Sequence, residues 1–159
     1  MRVDIGRIRD RAGASVSARG TVAPPSNPGF GFTALTPVEV EATVTNTGRF
    51  LHAEGRIRLR LLADCVRCLS SFSLELDIPF NADYRHGANA APQDGEDEFP
   101  AVTGDLLSLD EPVNEAVVLA LPMKPLCRED CRGLCPRCGA DLNHGVCTCG
   151  GGGGAQGWG

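Results

Sequence analysis

Lysine is almost missing from this chain: Lys124 stands alone against fourteen arginines, an imbalance read as genome bias. Aromatic residues make up only 5%, so a core must be built from Val, Leu, Ile and Ala. No apolar run approaches the roughly 18 residues of a membrane span, and no membrane partner is expected. The opening MRVDIGRIRDR is charged and offers no apolar segment for a signal peptide, so a cytoplasmic protein is expected. There is no Walker loop and no Gly-x-Ser-x-Gly elbow, and no carboxylate pair stands apart. A non-enzymatic protein without a small-molecule substrate is the expectation.

What is present is a 42% hydrophobic chain of 159 residues with eight cysteines. Disulfides are rare in the cytoplasm, so clustered cysteines there favour metal or catalysis. The net charge of −5 is uneven: +4 over residues 1–70, −10 over 71–120 and +1 over 121–159. Two four-thiolate zinc sites would each add −2, giving about −9. That balance argues against broad nucleic-acid affinity, which comes from neutralising phosphates. It leaves room for a local basic surface.

Residues 1–11, with Val3, Ile5 and Ile8, read as an edge strand or a short basic segment, and residues 12–36 as a loop rich in Gly, Ser, Ala and Pro. VEVEATV then alternates, with Val38, Val40, Ala42 and Val44 on one face. Asn46–Gly48 is turn chemistry. GRIRLRL and FSLELDIPF also alternate and flank CVRC. A two-residue turn at Val66-Arg67 would set Leu61 against Phe72, Arg60 against Ser73, Arg58 against Glu75 and Arg56 against Asp77. Glu39 is placed against Arg56. Residues 87–104 read as a mobile acidic loop. SLDEPVNEAVVLALP predicts a helix over 108–121, with Ser108 and Glu111 at capping-box spacing and Asp110 as the other candidate cap. Its stripe is Val113, Val117, Val118 and Leu121, and Pro122 ends it. His52 and His86 read as surface residues.

CPRCG at Cys135–Gly139 is the strongest motif: two cysteines two residues apart can face one ion, and the glycine lets backbone N–H groups turn toward the sulfurs. Cys147 and Cys149 form a second pair, Cys127 and Cys131 a third, Cys65 and Cys68 a fourth. Two groupings are open. In one, Cys135, Cys138, Cys147 and Cys149 form a local site, and Cys127 and Cys131 join Cys65 and Cys68. In the other, Cys127, Cys131, Cys135 and Cys138 form the local site, leaving Cys65 and Cys68 to Cys147 and Cys149. The first is preferred, because a C-x-x-C knuckle followed by a close second pair is the usual ribbon arrangement. Four thiolates leave no open position, so two structural zinc ions are expected. An iron–sulfur cluster or a thiol relay would use the same ligands. His144 is a possible substitute ligand read as a loop residue.

The Arg56, Arg58 and Arg60 stripe has acidic neighbours and reads as a solvated, paired face. Arg67, Arg128, Arg132 and Arg137 lie beside the cysteines on short loops with few acids and are the candidates for RNA binding.

CVRCL, a helix ending in LALPMKPLC, then CRGLCPRCGADLN and a final CTC together resemble the YceD family, over most of residues 37–149. These bacterial and plastid proteins are linked to accumulation of the large-subunit (23S) ribosomal RNA. The resemblance implies interest in Cys65, Arg67, Cys68, Pro122, Pro125, Cys127 and Cys131. It also implies a role in 23S rRNA accumulation and assembly of the large ribosomal subunit, with ribosomal RNA or a large-subunit ribosomal protein as partner.

The expected architecture is α+β: an antiparallel β-sheet of about five strands with one main helix and a zinc-binding C-terminal segment. Its parts are an α+β domain over 1–122, a Cys-rich ribbon-like segment over 123–149 docked on it, and a flexible Gly-rich tail over 150–159. The leading functional expectation is a factor that binds precursor rRNA. The alternatives are a zinc-stabilised adaptor or chaperone for a basic ribosomal protein, motivated by the −10 segment, and a thiol redox protein using CVRC.

Overall fold

The computed structural model describes residues 1–26, 31–87 and 99–149. The chain divides into two compact units, Met1–Leu62 with Ser73–Leu121, and Ala63–Phe72 with Pro122–Gly159. The expected tail over 150–159 lies outside the described residues, as does most of the expected mobile loop, 88–98.

Among the described residues the first unit carries eight strands and one helix: β1 (Arg2–Asp4), β2 (Ser15–Val22), β3 (Phe32–Ala34), β4 (Val38–Asn46), β5 (Phe50–Asp64), β6 (Ser71–His86), β7 (Ala101–Val102), β8 (Leu106–Ser108) and α1 (Asp110–Ala120). The last residues of β5, the first of β6 and the loop joining them count with the second unit. The main sheet runs β2-β4-β5-β6-β7, with β3 also pairing β5, while β1 and β8 form a separate two-stranded sheet. The pairings β2·β4, β4·β5 and β1·β8 are antiparallel, and the short β6·β7 pairing is parallel. The α+β architecture is thus as expected, with more strands. Among the described residues, no helix is long and apolar enough to cross a membrane.

Alternation governs the core. Val38, Val40, Ala42 and Val44 of β4 are buried, as are Ile57, Leu59 and Leu61 of β5. They pack with Val3, Ile5, Ile8, Phe80, Tyr84, Leu107, Val113 and Val117 in one apolar cluster. Gly55 sits opposite Ala42 in the β4·β5 ladder. A Cβ there would run into the Glu41 carbonyl and come within 2.9 Å of the Ala42 Cα, so only glycine fits.

Asn46 organises the N-terminal segment. It is buried, and its Nδ2 donates to the carbonyls of Ile8 at 2.8 Å and Arg9 at 2.7 Å. Its Oδ1 accepts from the Gly48 N–H at 2.7 Å, closing a turn in which Gly48 has φ +89°.

Several expectations are corrected. Residues 12–36 contain two strands rather than a loop, and Val16, Ala18, Gly20 and Val22 of β2 face Val44, Ala42, Val40 and Val38. The capping box does not form: Leu109 holds the cap position and Ser108 belongs to β8. Asp110 pairs instead with the N-terminal ammonium of Met1. Val113 and Val117 are buried, but Val118 is exposed. Glu41, not Glu39, faces Arg56. His86 is buried, whereas His52 is partly exposed and bonds Asp83 through Nδ1 at 2.7 Å. On β5 and β6, Arg60 bonds Glu75 and Arg58 bonds Asp77, two residues beyond their expected partners. A displacement of two residues leaves a side chain on the same face of its strand, so these pairs stay on the charged face. Arg56 keeps Asp77 as its partner.

Candidate metal centres

Both C-x-x-C segments fold into the same local shape. In Cys65–Leu69 the Leu69 N–H donates to the Cys65 carbonyl at 2.9 Å, and in Cys135–Gly139 the Gly139 N–H donates to the Cys135 carbonyl at 2.8 Å. The closing residue is left-handed in each, at φ +60° for Leu69 and φ +74° for Gly139. Among the described residues Leu69 is the one non-glycine with positive φ. A β-turn of two residues cannot make this knuckle, and that is why the hairpin loop is wider than expected. The Cys65 N–H also donates across the loop to the Ser70 carbonyl at 2.9 Å.

The sulfurs gather in two groups, Cys65, Cys68, Cys127 and Cys131, and Cys135, Cys138, Cys147 and Cys149, each with ligand atoms within 4.8 Å of one another. This is the first of the two groupings. All eight thiols are free of disulfides. In the first group Cys65 and Cys131 lie 3.7 Å apart and Cys68 and Cys127 3.6 Å. A tetrahedral site with metal–sulfur bonds of about 2.3 Å has edges of about 3.8 Å. The second group is tighter: 3.5 Å for Cys135–Cys149, 3.3 Å for Cys138–Cys147 and 2.7 Å for Cys147–Cys149.

The electrostatics prepare the leading sulfur of each knuckle for a cation. Burial pushes the Cys65 thiol up, but backbone N–H groups of Cys127, Cys68 and Arg67 outweigh it and bring it to about 6. The N–H groups of Cys138 and Arg137 bring Cys135 to about 6 as well. The Ser70 hydroxyl, 2.9 Å from the Cys68 sulfur, lowers that thiol. Thiols that would then ionise next to an existing thiolate are held back: burial, then Cys68, pushes Cys127 up to about 12, and Cys147 and Cys135 raise Cys149. Four sulfurs around one point fit a divalent cation, which would offset half the charge of four thiolates. The two groups can therefore hold metal ions.

The surroundings differ. Cys65, Cys68 and Cys131 are buried beside Phe72, Leu126 and Leu134, whereas Cys138 and Cys149 are exposed. Gly133, at φ +74°, lies so close to Arg67 that a Cβ would come within 2.9 Å of its carbonyl oxygen, which the Leu134 N–H also engages at 3.2 Å. Asn143 links the groups: its Oδ1 accepts from the Arg132 N–H at 2.8 Å, and its Nδ2 reaches the Cys131 sulfur at 3.4 Å. Ser70 and Asn143 were not singled out in the sequence; the signal was their place just after CVRC and CPRCG. His144 is no ligand, since it is exposed and bonds Asp141 at 2.8 Å.

The four RNA candidates separate. Arg67 donates through Nη1 to the Cys131 carbonyl at 2.9 Å, clamping the first group. Arg128 approaches Asp130 at 3.6 Å. Arg132 and Arg137 are exposed, and among the described residues neither pairs with a carboxylate. The Arg56, Arg58 and Arg60 stripe is paired with Asp77 and Glu75.

No solved structure matches the chain. A protein of Mycobacterium tuberculosis, called uncharacterized, is 30% identical over 146 residues, covering 89% of this chain and 70% of its own length. The Arabidopsis thaliana protein named large ribosomal RNA subunit accumulation protein YCED homolog 1, chloroplastic, is 27% identical over 143 residues, covering 72% of this chain and 44% of its own. A Zea mays protein of the same name is 27% identical, covering 72% of this chain and 49% of its own. The family described as large ribosomal RNA subunit accumulation protein YceD matches residues 53–155, a span that holds both knuckles and all eight cysteines. On that span, the chain belongs to the YceD family.

Proposed function

We propose that this chain is a non-enzymatic cytoplasmic factor that supports accumulation of 23S rRNA and assembly of the large ribosomal subunit by binding precursor rRNA. The family description supports the ribosomal role. The observation that carries the RNA reading is the pair Arg132 and Arg137, exposed beside the sulfur groups and, among the described residues, without a carboxylate partner, while Arg56, Arg58 and Arg60 of the sheet are paired with acids. Arginine suits this task because its planar fork meets phosphate oxygens in two directions.

Zinc is the ion proposed for both groups. Bound there, it would supply a cross-link and offset half the thiolate charge; with four sulfurs on each ion no position is left for substrate. The chain's own residues do the rest. The knuckles direct N–H groups at the sulfurs, Arg67 and Asn143 tie the loops together, and the loops present Arg128, Arg132 and Arg137 to solvent. The test is replacement of Arg67, Arg128, Arg132 and Arg137 by Glu. Loss of binding to a 23S precursor transcript, and lowered 23S rRNA in cells, are expected. Unchanged binding and unchanged rRNA would refute the mechanism.

A further inference from the structure

A groove of 920 Å³ lies between β6 and α1 in the first unit. Phe80, Tyr84 and Phe99 give it an aromatic lining, and Leu119, 77% exposed, stands at its side. Among the described residues four carboxylates line it, from Asp83, Asp110, Glu111 and Glu115, and no Arg or Lys does. Two are engaged: Asp83 with His52, and Asp110 with the N-terminal ammonium. Glu111 and Glu115 sit one helical turn apart on α1, and among the described residues neither has a cationic partner. Like charges at this spacing repel.

We propose that this groove docks an arginine- or lysine-rich segment of a partner protein. The complementarity is in both halves of such a side chain. Its aliphatic stem would lie on the aromatic lining, and its charged head would reach Glu111 and Glu115. Leu119 would cover an adjoining apolar residue. Residues 88–98, which precede Phe99 in the sequence, carry four acids and no base. Nucleic acid is the wrong occupant, since its phosphates would meet carboxylates. The inference is independent of the RNA reading, which concerns arginines of the other unit.

The test uses the full chain loaded with zinc and a short fluorescent peptide alternating arginine with leucine. A control peptide carries glutamate for arginine. Saturable binding of the basic peptide alone is expected, by anisotropy at moderate salt. Glu111→Lys with Glu115→Lys should weaken it by about tenfold, and Leu119→Ser by a smaller factor. The charge-matched control, Glu129→Lys with Asp130→Lys, should change it by less than about twofold. An unchanged thermal melt and metal content show that each variant is folded; Glu115→Gln replaces any that is not and should also weaken binding. Equal weakening by both double variants would show diffuse attraction and overturn the proposal, as would no binding. A dimer in sedimentation that the Glu111→Lys, Glu115→Lys variant disperses would overturn it in favour of a second copy of this chain.

Discussion

Asn46 does more for the fold than its size suggests, because one buried amide satisfies two carbonyls of the segment 8–9 and closes its own turn. Asn46→Ala takes the side-chain donor from the part-buried Arg9 carbonyl, leaves the Ile8 carbonyl with the Arg11 N–H alone, and opens the Gly48 turn. A loss of about 2–3 kcal/mol in denaturant unfolding is expected. Tyr84 offers a test by pH. Burial, with smaller repulsion from Glu111 and Asp110, pushes its phenol up to about 12 from 10, and its hydroxyl donates to the Ser108 carbonyl at 2.9 Å. The folded state thus holds the proton more tightly than the unfolded state. The stability it contributes is fully present below pH 10 and is lost as pH rises toward 12. Tyr84→Phe should be less stable than the parent at neutral pH, by about 1 kcal/mol for the lost bond, and should show a flatter alkaline decline in thermal melts. Neither role was legible from the sequence. Asn46 read only as a turn residue, and nothing local to Tyr84 announces a partner twenty-four positions away.

Among the elements, strands announced themselves where apolar and charged residues alternate, as in Val38–Val44 and Ile57–Leu61. β2 did not, because its inward set is Val16, Ala18, Gly20 and Val22, too small and too interrupted by serine and arginine to stand out. The β1·β8 pairing joins residues more than a hundred positions apart, and no local period encodes it. The knuckle at CVRC was legible as chemistry but not as shape, since Leu69 takes a conformation that glycine usually marks. Gly55 tests the close approach of β4 and β5: Gly55→Ala should cost about 1–3 kcal/mol or more, read by urea unfolding. The two sulfur groups should also behave differently as elements. The group with exposed Cys138 and Cys149 should yield its metal to a chelator first, and the group with buried Cys65 and Cys131 later. Cys135→Ser should therefore give a chain with one slowly released ion and an intact strand signal in circular dichroism. Release of both ions at one rate would contradict this.

Across the whole chain, the negative charge of −10 over residues 71–120 and the unpaired arginines of the Cys-rich loops fall in different units. A chain of net charge −5 binds RNA only through such local surface, so few phosphates can be engaged at once. RNA binding should accordingly fall with salt as if about three or four counterions were released, and the quadruple arginine-to-glutamate variant should abolish that dependence. Distribution of cysteines into two groups was legible because pair spacing is a local property and tetrahedral closure allows few combinations. The ribbon spacing of Cys135–Cys138 with Cys147–Cys149 favoured one of the two groupings, and the sulfurs gather in that grouping. Metal held in those two groups would fix the loops and arginines of the second unit. Native mass spectrometry of the chain purified without chelator measures that directly. Two zinc ions per chain are predicted. A metal-free chain, or one carrying disulfides or an iron–sulfur cluster in their place, would contradict the account.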